Sequence, residues 1–151
     1  NHKFKCAIGH NGLNKNKTEG DGCTPIGIFK INKILYRSDK INNFKFNLES
    51  EAIKINDGWC DDINSDLYNQ KINFPFKQSA EYLHRDDDLY DIICVIDYNM
   101  NPIVKGKGSA IFLHVATENY SPTHGCIAIK KEELLKICIE LKTSSTIMID
   151  Y

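Results

Sequence analysis

The chain has 151 residues, of which 42% are hydrophobic and 26% are charged. This size and composition are typical of one globular domain over residues 1–151 with a substantial core, and they exclude a disordered chain. The formal net charge is −1 at pH 7 and the lysines are spread along the sequence, so we expect no nucleic acid partner. No apolar run is long enough to span a membrane. We also expect the protein to be a monomer.

The N-terminus and the cysteines bear on where the protein acts. The chain begins at Asn1 without Met and shows no hydrophobic run of a signal peptide, and a processed or trimmed start looks like this. The six cysteines contain no C-x₂-C pair and lie 12 to 37 residues apart without a repeated pattern, which argues against a disulfide or zinc framework. We expect mostly free thiols, with Cys94 and Cys138 buried among aliphatic residues.

The first half of the chain predicts strands separated by irregular segments. Residues 4–12 predict a short strand that runs into a glycine turn, and residues 14–25, rich in Asn, Lys and Gly, predict a loop. Alternating apolar and polar residues over 26–37 predict one or two strands. Residues 38–80 mix short apolar pieces with turn residues, which indicates irregular structure or brief helical turns.

The second half has clearer patterns. The β-branched run within residues 89–99 predicts a strand, and residues 106–116 predict another. Apolar residues at helical spacing predict one main amphipathic helix over about 130–142, and residues 145–151 predict a last strand. Together these elements predict a mostly β fold of the α+β class, a β-sandwich of mixed sheets with one helix and minor helical turns.

Cys126 and His114 are the strongest candidates for catalytic chemistry. A free thiol is mostly protonated at neutral pH and needs a neighbouring base to act as a nucleophile. The alternation of the predicted strand places Phe112 and His114 on one face, and Cys126 follows twelve residues after the histidine, beyond a loop. Gly125 suits a sharp turn before the cysteine, and backbone amides at such a turn are natural oxyanion donors.

Two other interpretations of this stretch stay open from the residues alone. A cysteine beside glycine, or a histidine in an apolar strand, is often a buried structural residue. Alternatively, His114, His124 and Cys126 could supply three ligands of a metal site. No H-E-x-x-H or C-x₂-C frame supports that interpretation.

These residues resemble the catalytic domain of the L,D-transpeptidase (YkuD-like) family, whose signature is a histidine, a gap, and then Ser/Thr-His-Gly-Cys with a hydrophobic residue. His114 and residues 123–127 (THGCI) match that signature. Residues 19–31 (EGDGCTPIGIFKI) resemble the entry segment of a compact, single-domain proteobacterial branch, and residues 59–69 and 80–91 resemble its middle. The resemblance covers most of the chain.

The sequence departs from the family signature at two places. Only eight residues separate His114 from Thr123, fewer than in the commonly quoted signature, although a short gap fits the compact branch. Ala128 stands where the signature often has Asn or Arg. We therefore expect the active-site loop to differ in shape from that of other members.

The resemblance implies a cysteine acyl-transferase that acts on peptidoglycan stem peptides in the periplasm without a cofactor or metal. By this likeness, Cys126 attacks a diaminopimelate carbonyl, expels the terminal D-amino acid and forms a thioester, which an acceptor amine converts to a cross-link. His114 would be the base and the amides of Gly125 and Cys126 the oxyanion hole, with His124 as a further site residue. A carbapenem would then form a covalent adduct with the protein.

Four side chains are candidates for contact with the stem peptide: Arg85, Tyr82, Tyr120 and Thr123, the last as part of the matched signature. A guanidinium pairs bidentately with a carboxylate, although a salt bridge from Arg85 to Asp86, Asp87 or Asp88 is the favoured interpretation. The two tyrosines could instead be packing residues. His10 and His84 are expected at solvated surface positions.

Other functions remain compatible with the same fold. An L,D-carboxypeptidase or related hydrolase would use water as the acceptor, and a catalytically silent module would only bind the cell wall. The intact His114 and Cys126 argue against the silent module, since binding needs neither. The position of the cross-link between stems stays open.

Overall fold

The structure of the protein is a computed structural model that describes residues 3–151. Strands dominate this part of the chain, and a helix lies near its C-terminal end. In chain order the elements are β1 (Leu13–Asn14), β2 (Thr24–Pro25), β3 (Gly27–Tyr36), β4 (Ser50–Ala52), β5 (Asp57–Cys60), β6 (Lys71–Asn73), β7 (Ala80–Tyr82), β8 (Ile92–Ile96), β9 (Phe112–Val115), β10 (Ile127–Ile129), α1 (Lys131–Glu140) and β11 (Thr146–Ile149).

The largest sheet has six strands in the order β10-β9-β8-β3-β11, with β4 paired to β3. β3 is antiparallel to β8 and β11, and β8 is antiparallel to β9. The pairs β9–β10 and β3–β4 are parallel, so the sheet is mixed. A second sheet has three strands in the order β6-β5-β7, and β1 and β2 form a small parallel pair.

β8 lies in the interior of the largest sheet, and its sequence IICVI is buried at every position. A strand that is covered on both faces requires apolar residues throughout instead of alternation. Cys94 packs in the core cluster that contains the helix residues, whereas Ile93 and Val95 pack in the cluster beneath the three-stranded sheet. The largest sheet is therefore a middle layer between α1 and the second sheet.

The helix α1 packs on the largest sheet through Leu134 and Cys138, which are both completely buried. Their spacing of four residues places them on one face of the helix. Cys138 Sγ lies 3.4 Å from Cys94 Sγ across the contact between helix and sheet. The predicted amphipathic helix is confirmed, and it begins and ends slightly inside the predicted range.

The second sheet covers the opposite face of the middle layer. The Trp59 ring of β5 packs edge-on against Phe112 of β9, with ring centroids 5.1 Å apart, and Trp59 Nε1 donates to Asn69 Oδ1 at 3.0 Å. Tyr90 makes a similar edge contact with Phe112 at 6.0 Å. These aromatic contacts hold the second sheet against the strand that carries His114.

The predicted mostly β fold with mixed sheets and one helix is confirmed. Within residues 38–80, where the sequence predicts irregular structure or helical turns, the structure has β4, β5 and β6. Strands of three or four residues are too short to show an alternation. β10 was not predicted either, because its three buried apolar residues have no polar neighbours to mark a period. All six cysteines are free thiols, as expected.

We expect Ile34→Ala to lower the free energy of unfolding by about 2–5 kcal/mol, because it removes buried methyl groups and leaves a cavity. Ile34 is fully buried in β3, whereas Ile28 of the same strand is 68% exposed. The control Ile28→Ala should cost less than about 1 kcal/mol. Urea unfolding measures both values, and equal losses would contradict the placement of Ile34 in the core.

Candidate active site

The parallel pairing of β9 with β10 brings Cys126 close to His114. In this register His114 lies opposite Ala128 and Leu113 opposite Ile127, so Cys126, just before β10, lies two residues along the sheet from His114. Neighbouring strands are about 4.8 Å apart and two residues span about 6.6 Å, which places the two backbones roughly 8 Å apart, a gap that side chains can bridge. Both side chains line the same cavity.

The Cys126 thiol is held by the backbone of the segment that leads into β9. Sγ donates to the Ala110 carbonyl at 3.1 Å and accepts from the Phe112 amide at 3.4 Å. Burial raises the pKa of this thiol to about 12, and the nearby Glu81 carboxylate acts in the same direction. The Phe112 amide and the Lys17 charge act in the opposite direction but are weaker. Cys126 therefore rests as a neutral thiol at physiological pH.

His114 is buried, with 6% of its surface exposed, and its own backbone neighbour orients it. Nδ1 lies 2.9 Å from the Val115 carbonyl, and because a carbonyl only accepts, Nδ1 carries the proton and Nε2 keeps its lone pair. Burial lowers the pKa of His114 below its usual value, against the hydrogen bond to Val115. The imidazole is therefore neutral at pH 7, in the tautomer that can accept a proton at Nε2.

Gly125 forms a turn that requires glycine. Its φ is +144°, and a Cβ at this position would lie 2.9 Å from the Cys23 carbonyl oxygen, closer than real contacts of this kind. The buried hydroxyl of Thr24 donates to the Gly125 carbonyl at 2.8 Å and accepts from the Gly9 amide at 2.9 Å. The segment around β2 therefore clamps the turn that presents Cys126.

The Gly125 amide is not free to bind an oxyanion in this conformation. It donates to Thr123 Oγ1 at 3.1 Å, and that hydroxyl donates to the Cys126 carbonyl at 2.6 Å. A threonine two residues before the glycine closes this local hydrogen-bonded turn. Of the two predicted oxyanion donors, the Thr123 hydroxyl engages the Gly125 amide and not the Cys126 amide, and the oxyanion hole stays a prediction.

A buried ion pair lies behind the Gly125 turn. Lys17 is 4% exposed, and its Nζ donates to Asp21 Oδ1 at 2.7 Å. A Cβ on Gly125 would lie 3.3 Å from Lys17 Nζ, so the cation is close to the turn that presents Cys126. Burial alone would raise the pKa of Asp21, but hydrogen bonds from Lys17 and two backbone amides hold it below its usual value. The sequence does not predict this pair, although Asp21 stands in the EGDG segment.

The cavity in front of Cys126 has a volume of about 420 Å³. Its polar lining includes Glu19, Asp61, Glu81 and Arg85 as well as His114. The sequence does not single out these three carboxyl groups, although each lies in a segment that resembles the family, because their convergence on one cavity depends on three-dimensional packing. Together with the thiol and the neutral imidazole, they make the cavity a site for acid–base and nucleophilic chemistry.

His124 and Thr123 lie at the rim of the cavity. His124 is exposed, and its ring meets that of His10 edge-on at 5.7 Å. His10 is exposed as predicted, but Nδ1 contacts the Thr123 carbonyl at 3.1 Å. The partner lies 113 residues away in sequence, a separation that no local pattern reveals.

Arg85 lines the cavity and forms the predicted salt bridge. Its Nε and one terminal nitrogen bind both oxygens of Asp87 at 2.9 and 2.6 Å. The guanidinium also lies over the Tyr90 ring, 5.2 Å from the centroid, which is a cation–π arrangement. The ion-pair interpretation is thus confirmed, and contact with a substrate carboxylate stays a prediction.

The two tyrosines predicted to contact substrate lie outside the residues that line the cavity, as far as residues 3–151 show. Tyr82 is 54% exposed and stacks on Phe74, with ring centroids 3.8 Å apart. Tyr120 lies beneath Lys5, whose Nζ is 4.6 Å from the ring centroid. Their contact with substrate remains a prediction.

Among residues 3–151, no group of three His, Cys, Asp or Glu side chains is arranged to hold a metal ion. Within the same range, no helix has the length and apolar character that crossing a bilayer requires.

Comparison with known protein families identifies the domain. A family model described as the L,D-transpeptidase catalytic domain, YkuD, matches residues 1–149. No curated protein and no solved structure matches the chain significantly.

We expect Gly125→Ala to abolish reactivity at Cys126 and to destabilise the fold by more than about 2 kcal/mol, because the methyl group meets a backbone oxygen. Gly20→Ala is the matched control, since Gly20 also has a positive φ but has open space around its Cβ position. The control should cost only about 1–2 kcal/mol. Urea unfolding and thiol reactivity measure the two effects, and equal behaviour of both variants would contradict the clamped turn.

Proposed function

Because the chain belongs to the L,D-transpeptidase catalytic-domain family, we propose that it is a cysteine acyl-transferase acting on peptidoglycan stem peptides. The observation that carries the proposal is the shared cavity of Cys126 and His114. There the imidazole, whose Nδ1 is bound by the Val115 carbonyl, keeps Nε2 for the thiol proton. Since the family acts on the cell wall, we place the protein in the periplasm.

The first half-reaction acylates Cys126. Sγ attacks the carbonyl of the donor's diaminopimelate residue while His114 Nε2 takes the thiol proton. The tetrahedral intermediate collapses to a thioester, and the leaving D-amino acid receives the proton from the imidazolium. His114 ends this step neutral, as it began.

The electrostatics favour proton transfer that is concerted with attack. A thiol with a pKa of about 12 beside an imidazole whose pKa is lowered does not form a resting ion pair. Negative charge develops on sulfur and then on the carbonyl oxygen, close to the Cys126 amide and in the field of Lys17. Each such donor is worth about 3 kcal/mol when it is aimed at the oxyanion.

The second half-reaction transfers the acyl group. An amine of a neighbouring stem attacks the thioester, and the sulfur leaves as a thiol after it takes a proton through His114. Water at the same position would instead release a trimmed stem. The free cavity volume of about 420 Å³ is within the range of small-molecule sites.

We expect a carbapenem to add its full mass to the protein through Cys126. Intact-mass spectrometry should show the adduct in the wild type and none in Cys126→Ala. Cys6→Ala is the matched control, since Cys6 is an exposed free thiol that does not line the cavity. This variant should react like the wild type. His114→Ala should slow adduct formation by about 10²–10⁴-fold.

An adduct that persists in Cys126→Ala would contradict the assigned nucleophile. Incubation with stem tetrapeptides then separates the two acceptors by product analysis. Cross-linked dimers are the expected product, whereas trimmed monomers alone would indicate the hydrolase and overturn the transferase proposal.

A further inference from the structure

The cavity contains a carboxyl group that the thiol–imidazole mechanism does not use. Glu81 of β7 is paired with Trp59 of the neighbouring strand β5 and lines the cavity with Cys126 and His114. After burial, the Glu81 charge is the second largest cause of the raised pKa of the Cys126 thiol. Within residues 3–151 Glu81 forms no salt bridge, and an unpaired ionisable group in the cavity of a nucleophile is a candidate for a role in the chemistry.

Tyr90 connects Glu81 to the catalytic histidine. Tyr90 Oη donates to Glu81 Oε2 at 3.0 Å, and the same ring meets the His114 ring edge-on at 5.3 Å. Tyr90 is buried, with 7% of its surface exposed. The contact therefore fixes the carboxyl group on the histidine's side of the cavity.

The surroundings of Glu81 attract a cation. Glu19 and Asp61 line the same cavity, and one buried oxygen of Asp61 has no hydrogen-bond partner among the residues that the structure describes. The opposing cation is Arg85, which both oxygens of Asp87 already bind. The cavity thus offers unpaired negative charge to an incoming ammonium group.

The protonation of Glu81 is suited to proton exchange. Burial raises the pKa of Glu81 to about 7, opposed by the hydrogen bond from Tyr90. The Asp61 and Glu19 charges raise the pKa further, and the Arg85 charge lowers it. Near neutral pH the group is therefore present in both forms, which is the condition for a general base.

In the second half-reaction an ammonium acceptor releases two protons, and His114 transfers only one of them. An alkyl ammonium acceptor is protonated at neutral pH, so it must lose one proton before its nitrogen can attack. It loses another as the amide forms, and that proton goes through His114 to the departing sulfur. Water as acceptor has only the latter proton to transfer.

We propose that Glu81 binds the acceptor's ammonium and takes its first proton. The carboxylate accepts the proton from nitrogen, the free amine attacks the thioester carbon, and the carbon–sulfur bond breaks as His114 delivers the second proton to sulfur. Glu81 then returns its proton to solvent. The proposal rests on the proposed acyl-transfer function, and it assigns Glu81 to aminolysis alone.

The test is Glu81→Gln, followed through both half-reactions. Acylation by a carbapenem should be no slower than in the wild type, because removal of the Glu81 charge lowers the pKa of the Cys126 thiol. Hydrolysis of the stem-peptide thioester should stay within about 3-fold of wild type. Transfer to an alkyl ammonium acceptor should fall by about 10²-fold, as expected for loss of a general base. Hydroxylamine, an acceptor that is uncharged near neutral pH, should restore transfer because it has no first proton to lose.

Glu19→Gln distinguishes proton transfer from simple attraction of the acceptor. Glu19 lines the same cavity and accepts from the Tyr68 hydroxyl, so the substitution removes a similar charge. A base at Glu81 predicts a much smaller loss of kcat in Glu19→Gln, whereas equal losses in both variants would overturn the assignment. Equal loss of acylation and transfer in Glu81→Gln would overturn it as well.

The pH dependence of the wild-type reaction tests the proposal without any substitution that could disturb the structure. The ratio of transfer to hydrolysis should rise with pH through the titration of Glu81 near 7, before the acceptor itself deprotonates. The ratio should then level off above about pH 7, whereas a ratio that keeps rising in proportion to the free amine up to the acceptor's own pKa would contradict the proposal. Failure of the wild type to form any acyl-enzyme would instead contradict the proposed function.

Discussion

The parallel pairing of β9 with β10 is the contact on which the site depends. It places His114 opposite Ala128, so that Cys126, just before the strand, reaches the same cavity as the imidazole. A shift of this register by one residue would send the histidine to the other face of the sheet. The buried apolar side chains of both strands resist such a shift, because they fill the core against α1.

Burial makes this a neutral site at rest, with its charges placed around the reacting atoms. The thiol and the imidazole are both held uncharged by desolvation, and each has a backbone carbonyl as its hydrogen-bond partner. Lys17 lies behind the turn, and the carboxyl groups lie on the acceptor side of the cavity in the proposed reaction. This arrangement stabilises the charge that develops on the reacting atoms in the transition state more than any charge in the resting site.

The sequence predicts the parts of this site that depend on local pattern. The THGC motif and the apolar strand before it identify Cys126 and His114 as candidates, and the amphipathic spacing of Leu134 and Cys138 identifies α1. It does not predict the group that orients His114, because a backbone carbonyl leaves no mark in residue type. The sequence also does not show that Glu81, Lys17 and His10 lie at this site. Lys17 approaches Gly125, His10 contacts Thr123, and Glu81 shares a cavity with Cys126. Each of these contacts joins residues that are distant in sequence.

The central claim is that Cys126 and His114 rest as a neutral pair with the proton on Nδ1. Long-range ¹H–¹⁵N NMR of the histidine rings measures it directly, since ring nitrogen shifts separate the two tautomers and the imidazolium. At pH 7 the account predicts a neutral His114 protonated at Nδ1, unchanged in Cys126→Ala. An imidazolium at pH 7 that becomes neutral in Cys126→Ala would reveal a resting thiolate–imidazolium pair and contradict the account.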